Sequence, residues 1–207
     1  MTIYVMAGWG KGKTTSSIGI TLRALANSEK VLFAQFLKDG QDLGLKMLKE
    51  ISLTKDLKFV HTAQGMHGFD LTKAREQSVA FRKQVDSHII ETACNSAIEN
   101  YNLIVLDEIN TAQDYHMLDL TDEEFVLWIQ QLEKLGDVYV TGRINRGELR
   151  HRLILTADIA TDCYCEAHSY NKKCDTCEME FTQHYMFCPI CGSMLTKGHK
   201  MRKGREC

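Results

Sequence analysis

Ala7-Gly8-Trp9-Gly10-Lys11-Gly12-Lys13-Thr14-Thr15 follows a short apolar run, Ile3 to Met6, and leads into a segment with helical character. A small residue, four more, then Gly-Lys-Thr is the spacing of a phosphate-binding loop in its looser form, with Ala7 in the place of the usual first glycine. Gly8, Gly10 and Gly12 let backbone N–H groups approach phosphate oxygens closely. Lys13 adds a point charge, the Thr14 hydroxyl suits Mg²⁺, and the following helix presents its positive N-terminal end. A solvated Gly/Lys surface loop is the bland alternative, and the strand signal before and helix signal after argue against it.

Around this stretch, 207 residues with 44% hydrophobic content suffice for one sizeable α/β domain with a small appendage. A net charge of -2 and a pI near 6.4 give no basic field for nucleic acid or an anionic membrane. No apolar run is long enough to span a bilayer and the N-terminus runs straight into a strand, so a cytoplasmic setting is expected. Eight cysteines in such a setting read as thiols or metal ligands, and six of them lie between Cys163 and Cys191.

Apolar blocks of strand length alternate with helical ones along the chain. Strands are expected over 2–6, 30–36, 57–61, 103–106 and 137–140. Helices are expected over 16–26, with Ile18, Leu22 and Leu25 facing the sheet, over 43–51, over 71–100 as one or two pieces, and over 121–135, opened by the capping-box pair Thr121 and Glu124. The stretch 63–69 reads as a loop, and Asp39-Gly40 as a turn. This alternation predicts a P-loop, RecA-like α/β fold: a mostly parallel sheet covered by helices, with ligands at the carboxyl ends of its strands. Polar residues gather at those ends. Gln35-Phe36-Leu37-Lys38 closes the second strand, Asp107-Glu108 the fourth, and Thr141-Gly142-Arg143 the fifth. Asp107 has the form of a Walker B acid that holds Mg²⁺ directly or through water; Glu108 is placed to ligate the metal or take a proton. Taken alone, the same pair also fits a solvated acidic strand end, and Arg143 an ordinary surface arginine.

Residues 8–15, 31–38, Val105-Leu106-Asp107-Glu108-Ile109, Val140-Thr141-Gly142-Arg143 and Ala157-Asp158 together resemble the ATP:corrinoid adenosyltransferases, the P-loop family that completes the upper face of coenzyme B₁₂. Lys200-Met201-Arg202-Lys203-Gly204-Arg205-Glu206 is similar to that family's basic tail. The resemblance implies transfer of the 5′-deoxyadenosyl group of ATP to the Co(I) of a reduced corrinoid, with release of triphosphate. It implies catalytic roles for Lys13, Glu108 and Lys11. It implies nucleotide contacts from Gly8, Trp9, Gly10, Lys11, Gly12, Lys13, Thr14, Thr15 and Arg143, and Mg²⁺ on Thr14 with Asp107 and Glu108. A homodimer and an external electron-donating reductase are implied as well. The family usually has Asn where Trp9 stands. In the stretch 63–69, where relatives place aromatic residues that displace the lower cobalt ligand, Phe69 is the aromatic carbocycle, with Met66 as a second apolar candidate and His67 as a potential ligand.

Cys174-Asp175-Thr176-Cys177 and Cys188-Pro189-Ile190-Cys191-Gly192 are two CxxC pairs separated by ten residues. This is the spacing of a zinc ribbon: Cys174, Cys177, Cys188 and Cys191 around one tetrahedral Zn²⁺, with a hairpin expected over 178–187. So small a unit has almost no core, and the metal folds it. Cys163 and Cys165 read as strand-end core cysteines or, with His168, as part of another site. The organisation expected is therefore a P-loop domain over 1–168, a zinc ribbon over 169–198 and a basic tail over 199–207. Two other functions fit parts of the pattern. One is a thymidine-kinase-like nucleoside kinase with a zinc site. The other is a non-enzymatic, nucleotide-dependent switch that binds nucleic acid, disfavoured by the acidic pI.

Overall fold

A computed structural model describes residues 1–38, 43–52, 57–61, 71–94, 101–163, 171–173, 180–182 and 196–197. The chain forms two compact units, residues 1–163 and 164–207. In the first, the elements run β1 Ile3–Ala7, α1 Lys13–Ala26, β2 Val31–Gln35, α2 Leu43–Ser52, β3 Leu57–His61, α3 Leu71–Cys94, β4 Leu103–Asp107, α4 Ile109–Asp114, α5 Asp122–Glu133, β5 Asp137–Thr141, α6 Gly147–Thr156 and β6 Ile159–Asp162. All five pairings of its six-stranded sheet, ordered β3-β2-β4-β5-β1-β6, are parallel.

Alternate residues of each inner strand feed opposite cores, as a parallel sheet buried on both faces requires. Leu32, Ala34, Ile104, Leu106, Val138 and Val140 pack with Phe81 and Val85 of α3, Phe125 and Ile129 of α5, and Leu149 and Leu153 of α6. Val31, Phe33, Leu103, Val105 and Tyr139 pack on the other face with Ala24 and Leu25 of α1 and Leu48 of α2. This parity places Gln35, Asp107 and Thr141, the carboxyl-terminal residues of β2, β4 and β5, on the α1 face of the sheet, and it fixes the site.

The structure departs from the sequence reading at α1. The helix begins at Lys13, and its buried side carries Ser17, Thr21, Ala24 and Leu25, while Leu22 is exposed. Small residues let this helix lie close to the sheet, and the hydroxyls are satisfied within the helix: Ser17 donates to the Thr14 carbonyl and Thr21 to the Ser17 carbonyl, at 2.7 and 2.8 Å. α4, α6 and β6 are additional to the elements expected. The capping box at Thr121 and Glu124 is formed, and Asp122, Glu123 and Glu124 all lie in the first turn of α5. By contrast, α1 has neither a side-chain cap nor an acidic residue in its first turn. Its leading N–H groups and dipole are left for an anion.

In the second unit, β7 Asn171–Lys173, β8 Glu180–Thr182 and β9 Thr196–Lys197 form an antiparallel sheet in the order β8-β7-β9. β8 falls inside the segment 178–187 expected to form a hairpin and pairs antiparallel with β7, which precedes the first CxxC; the rest of that segment lies outside the described residues. The four CxxC cysteines, Cys165, the tail and the stretch 63–69 with Phe69 lie outside the described residues.

Candidate phosphate and cation site

The loop between β1 and α1 is shaped by backbone contacts with the end of β6. Cys163 donates its N–H to the Ala7 carbonyl at 2.7 Å, and Gly10 donates to the Cys163 carbonyl at 2.6 Å. Gly8 has φ +101, and a Cβ there would collide with the Asp162 carboxylate and lie 2.5 Å from the Cys163 carbonyl oxygen. Only glycine fits this crossing. Gly12, at φ +102, turns the chain into α1.

Lys13 is 6% exposed, and its Nζ donates to the Gly8 and Gly10 carbonyls at 2.8 and 2.5 Å, inside the curve of the loop. Burial lowers its pKa, the Glu108 carboxylate working against that shift. Lys11 and Thr15 are exposed, and Lys11 makes no side-chain hydrogen bond or ion pair among the described residues.

Asp107 is fully buried and held from several sides. Its Oδ1 accepts from Thr141 Oγ1 at 2.7 Å, its Oδ2 from Gln35 Nε2 at 2.8 Å, and Thr14 Oγ1 lies 3.2 and 3.1 Å from the two oxygens. A carboxylate with so many donors is oriented rigidly and its charge is well solvated by the protein. Glu108, beside it, stands at φ +62 and caps α4. A non-glycine residue in the left-handed region costs about 1–3 kcal/mol, a strain found where side chains must be aimed. Its backbone N–H donates to Thr141 Oγ1 at 3.1 Å, and Thr111 Oγ1 donates to its Oε2 at 2.7 Å.

Lys38, which the motif pattern does not select, completes the cluster. Its Nζ donates to Thr14 Oγ1 at 2.6 Å and lies 3.3 Å from Asp107 Oδ2 and 3.2 Å from Glu108 Oε1. Burial opposes its charge, but the Asp107 and Glu108 carboxylates more than offset this, and its pKa is raised. The parity of β2, β4 and β5 was the available signal for Gln35 and Thr141 as partners of Asp107; for Lys38 the sequence offered only its place in the polar stretch that closes β2, with no role attached.

Arg143 is exposed, its guanidinium 5.2 Å from the centre of the Trp9 ring. Such a cation–π contact contributes about 0.5–1 kcal/mol at an exposed site. The Arg143 N–H donates to Thr111 Oγ1 at 2.8 Å, which links it to Glu108 through one hydroxyl. Gly142 makes the approach possible: a Cβ there would lie 2.6 Å from the Thr111 nitrogen. Loop, acids and arginine thus share the carboxyl edge of the sheet, with hard oxygen donors at its centre. Thr14, Asp107 and Glu108 set oxygens of the hard type that Mg²⁺ takes around one ammonium, that of Lys38. Among the described residues no group of three or more His, Cys, Asp or Glu side chains is placed to hold a metal, and no helix is long and apolar enough to cross a membrane.

The family model of the ATP:corrinoid adenosyltransferases BtuR/CobO/CobP matches residues 1–179. The corrinoid adenosyltransferase of Escherichia coli (strain K12) is 31% identical over 141 residues, 68% of this chain and 67% of that one. The corrinoid adenosyltransferase of Pseudomonas aeruginosa is 28% identical over 169 residues, covering 81% and 77%, and that of a Sinorhizobium species 26% identical over 170 residues, covering 81% and 74%. The crystal structure of the flagellar accessory protein FlaH from Methanocaldococcus jannaschii superposes with a TM-score of 0.53 over 78% of this chain and 70% of that one, at 11% identity. That likeness concerns the fold alone.

Proposed function

Because the chain belongs to the ATP:corrinoid adenosyltransferase family, we propose that its phosphate loop grips the triphosphate of ATP while the ribose carbon is taken by cobalt. The protein is a transferase that moves an adenosyl group onto a corrinoid. The nucleoside-kinase and non-enzymatic readings give way to this activity.

In the proposed step the electron pair of Co(I) in the reduced corrinoid attacks C5′ of the ribose. The C5′–O bond breaks and its electron pair leaves with the intact triphosphate. Negative charge builds on that leaving group, so the protein's task is electrostatic. The observation that carries this reading is the convergence at the end of the sheet: a buried Lys13 inside the loop, an uncapped α1 N-terminus, and Thr14, Asp107 and Glu108 around one cation position. Thr14, Asp107 and Glu108 would hold Mg²⁺, which neutralises phosphate charge when bound. Glu108 is the more available carboxylate, at 18% side-chain exposure against 0% for Asp107, whose oxygens are occupied by Thr141, Gln35 and Thr14. Arg143, held by Trp9 and Thr111, supplies a further positive group at the rim. Incubation with ATP and chemically reduced cobalamin is expected to give the adenosylated corrinoid and free triphosphate in equal amounts. ADP as the nucleotide product would overturn the reading.

The same proposal includes a homodimer, an external reductant, a cytoplasmic setting and a C-terminal zinc ribbon. Strand register supports the ribbon. Lys173 pairs with both Glu180 and Thr196, so the strand ends that lead into Cys174, out of Cys177 and out of Cys191 are neighbours at one end of the small sheet. Both CxxC segments therefore connect to that end, as four thiolates around one ion require. Protein produced with zinc is expected to carry about one Zn²⁺ per chain, released by thiol modification, and a chelator should unfold the second unit while the melting of the first persists. Metal analysis finding no zinc would remove this part.

A further inference from the structure

Lys38 stands where its backbone is forced to put it. Leu37, just before it, has φ +57, a conformation that costs a bulky residue energy and persists only where the surroundings demand it. The kink directs the side chain, 34% exposed, into the acid pair, where Nζ meets Thr14 Oγ1, Asp107 Oδ2 and Glu108 Oε1 at 2.6, 3.3 and 3.2 Å. These are the three side chains that the reading above gives to Mg²⁺. An Mg²⁺ ion at its usual distance of about 2.1 Å from such oxygens needs the volume the ammonium fills, and two cations that close repel strongly. Ion and ammonium exclude one another.

We propose that Lys38 is a tethered cation that keeps the acid pair neutralised in the nucleotide-free protein, bars divalent ions arriving alone, and yields the position when the metal enters with ATP. The displaced ammonium then pairs with triphosphate oxygens, so its charge is not lost from the site. The proposal rests on the assignment of Thr14, Asp107 and Glu108 to the metal. Its consequence is an ordered uptake in which the ion comes with the nucleotide rather than before it.

Mn²⁺, followed by the loss of its free paramagnetic resonance signal, tests this on the full-length chain without nucleotide. Lys38→Met and Lys38→Gln are both expected to bind Mn²⁺ at least about tenfold more tightly than wild type. Mn²⁺ should also raise the Tm of both variants while leaving that of wild type unchanged. A lysine with a purely structural role would give no such gain. Equal or weaker Mn²⁺ binding in both variants overturns the proposal. If Glu108→Gln alone still weakens binding of Mn²⁺ together with ATP, the metal assignment stands and only the role of Lys38 falls. If the gain in Lys38→Met survives the addition of Glu108→Gln, the ion sits elsewhere and both fall.

Discussion

Replacing Lys13 with alanine is expected to lower adenosyl transfer by about two orders of magnitude or more, with little change in the melting of the first unit. The ammonium is buried within the curve of the loop and held by the Gly8 and Gly10 carbonyls, which leaves one of its three N–H groups for a phosphate oxygen. A charge preorganised in this way stabilises a departing anion by roughly 3–4 kcal/mol, more than an exposed lysine would through water. Stability should move little for two reasons. Burial of the ammonium opposes its charge and lowers its pKa, a cost to the folded state, and alanine is an excellent first residue for α1. The informative quantity is kcat with saturating ATP and reduced corrinoid. A drop confined to KM would mean that Lys13 only binds the ground state, and an unchanged rate would remove the loop from the chemistry.

Asp107→Asn should do damage of a different kind, to fold and function together. Asp107 has no exposure and accepts from Thr141, Gln35, Thr14 and Lys38. An amide in its place turns one acceptor into a donor. Facing Gln35 and Lys38, it opposes two donors directly; turned toward Thr141, it forces that hydroxyl to reverse. Either way the Lys38 ammonium loses half of its compensating charge. The expected cost is about 2–3 kcal/mol, a fall in Tm of roughly 5–10 °C for a chain of this size. Transfer should drop about a hundredfold, since the cation position is weakened as well. A melting curve within a degree of wild type would show that the hydrogen bonds to Asp107 contribute nothing net.

What could be read from the chain beforehand depended on whether hydrophobic pattern carried the information. The apolar runs 31–35 and 103–106 are buried on both faces and announced β2 and β4, and the Thr121 and Glu124 capping pair announced α5. α6 was silent because only Leu149 and Leu153 of its ten residues are buried, too narrow a stripe to register as helical periodicity. α4 is a single polar turn and a half, and β6 is an edge strand whose four residues are all exposed, so neither alternates. The buried side of α1 misled for the opposite reason: Ser17 and Thr21 look like surface residues until their hydroxyls are seen bonded within the helix. In the site, Lys13, Thr14, Asp107 and Glu108 follow from motif spacing. Lys38 does not, because its position depends on the left-handed turn at Leu37, a feature that a leucine in sequence conceals.

The backbone bonds that join Cys163 to Ala7 and Gly10 set a limit on how the protein can be shortened. A fragment designed by motif alone, ending after Arg143, would keep every residue expected to touch ATP yet discard the peptide that buttresses their loop. The smallest excisable nucleotide-binding piece must run to residue 163, and a fusion or cleavage site placed upstream of it would cost the grip on phosphate even with every motif residue in place.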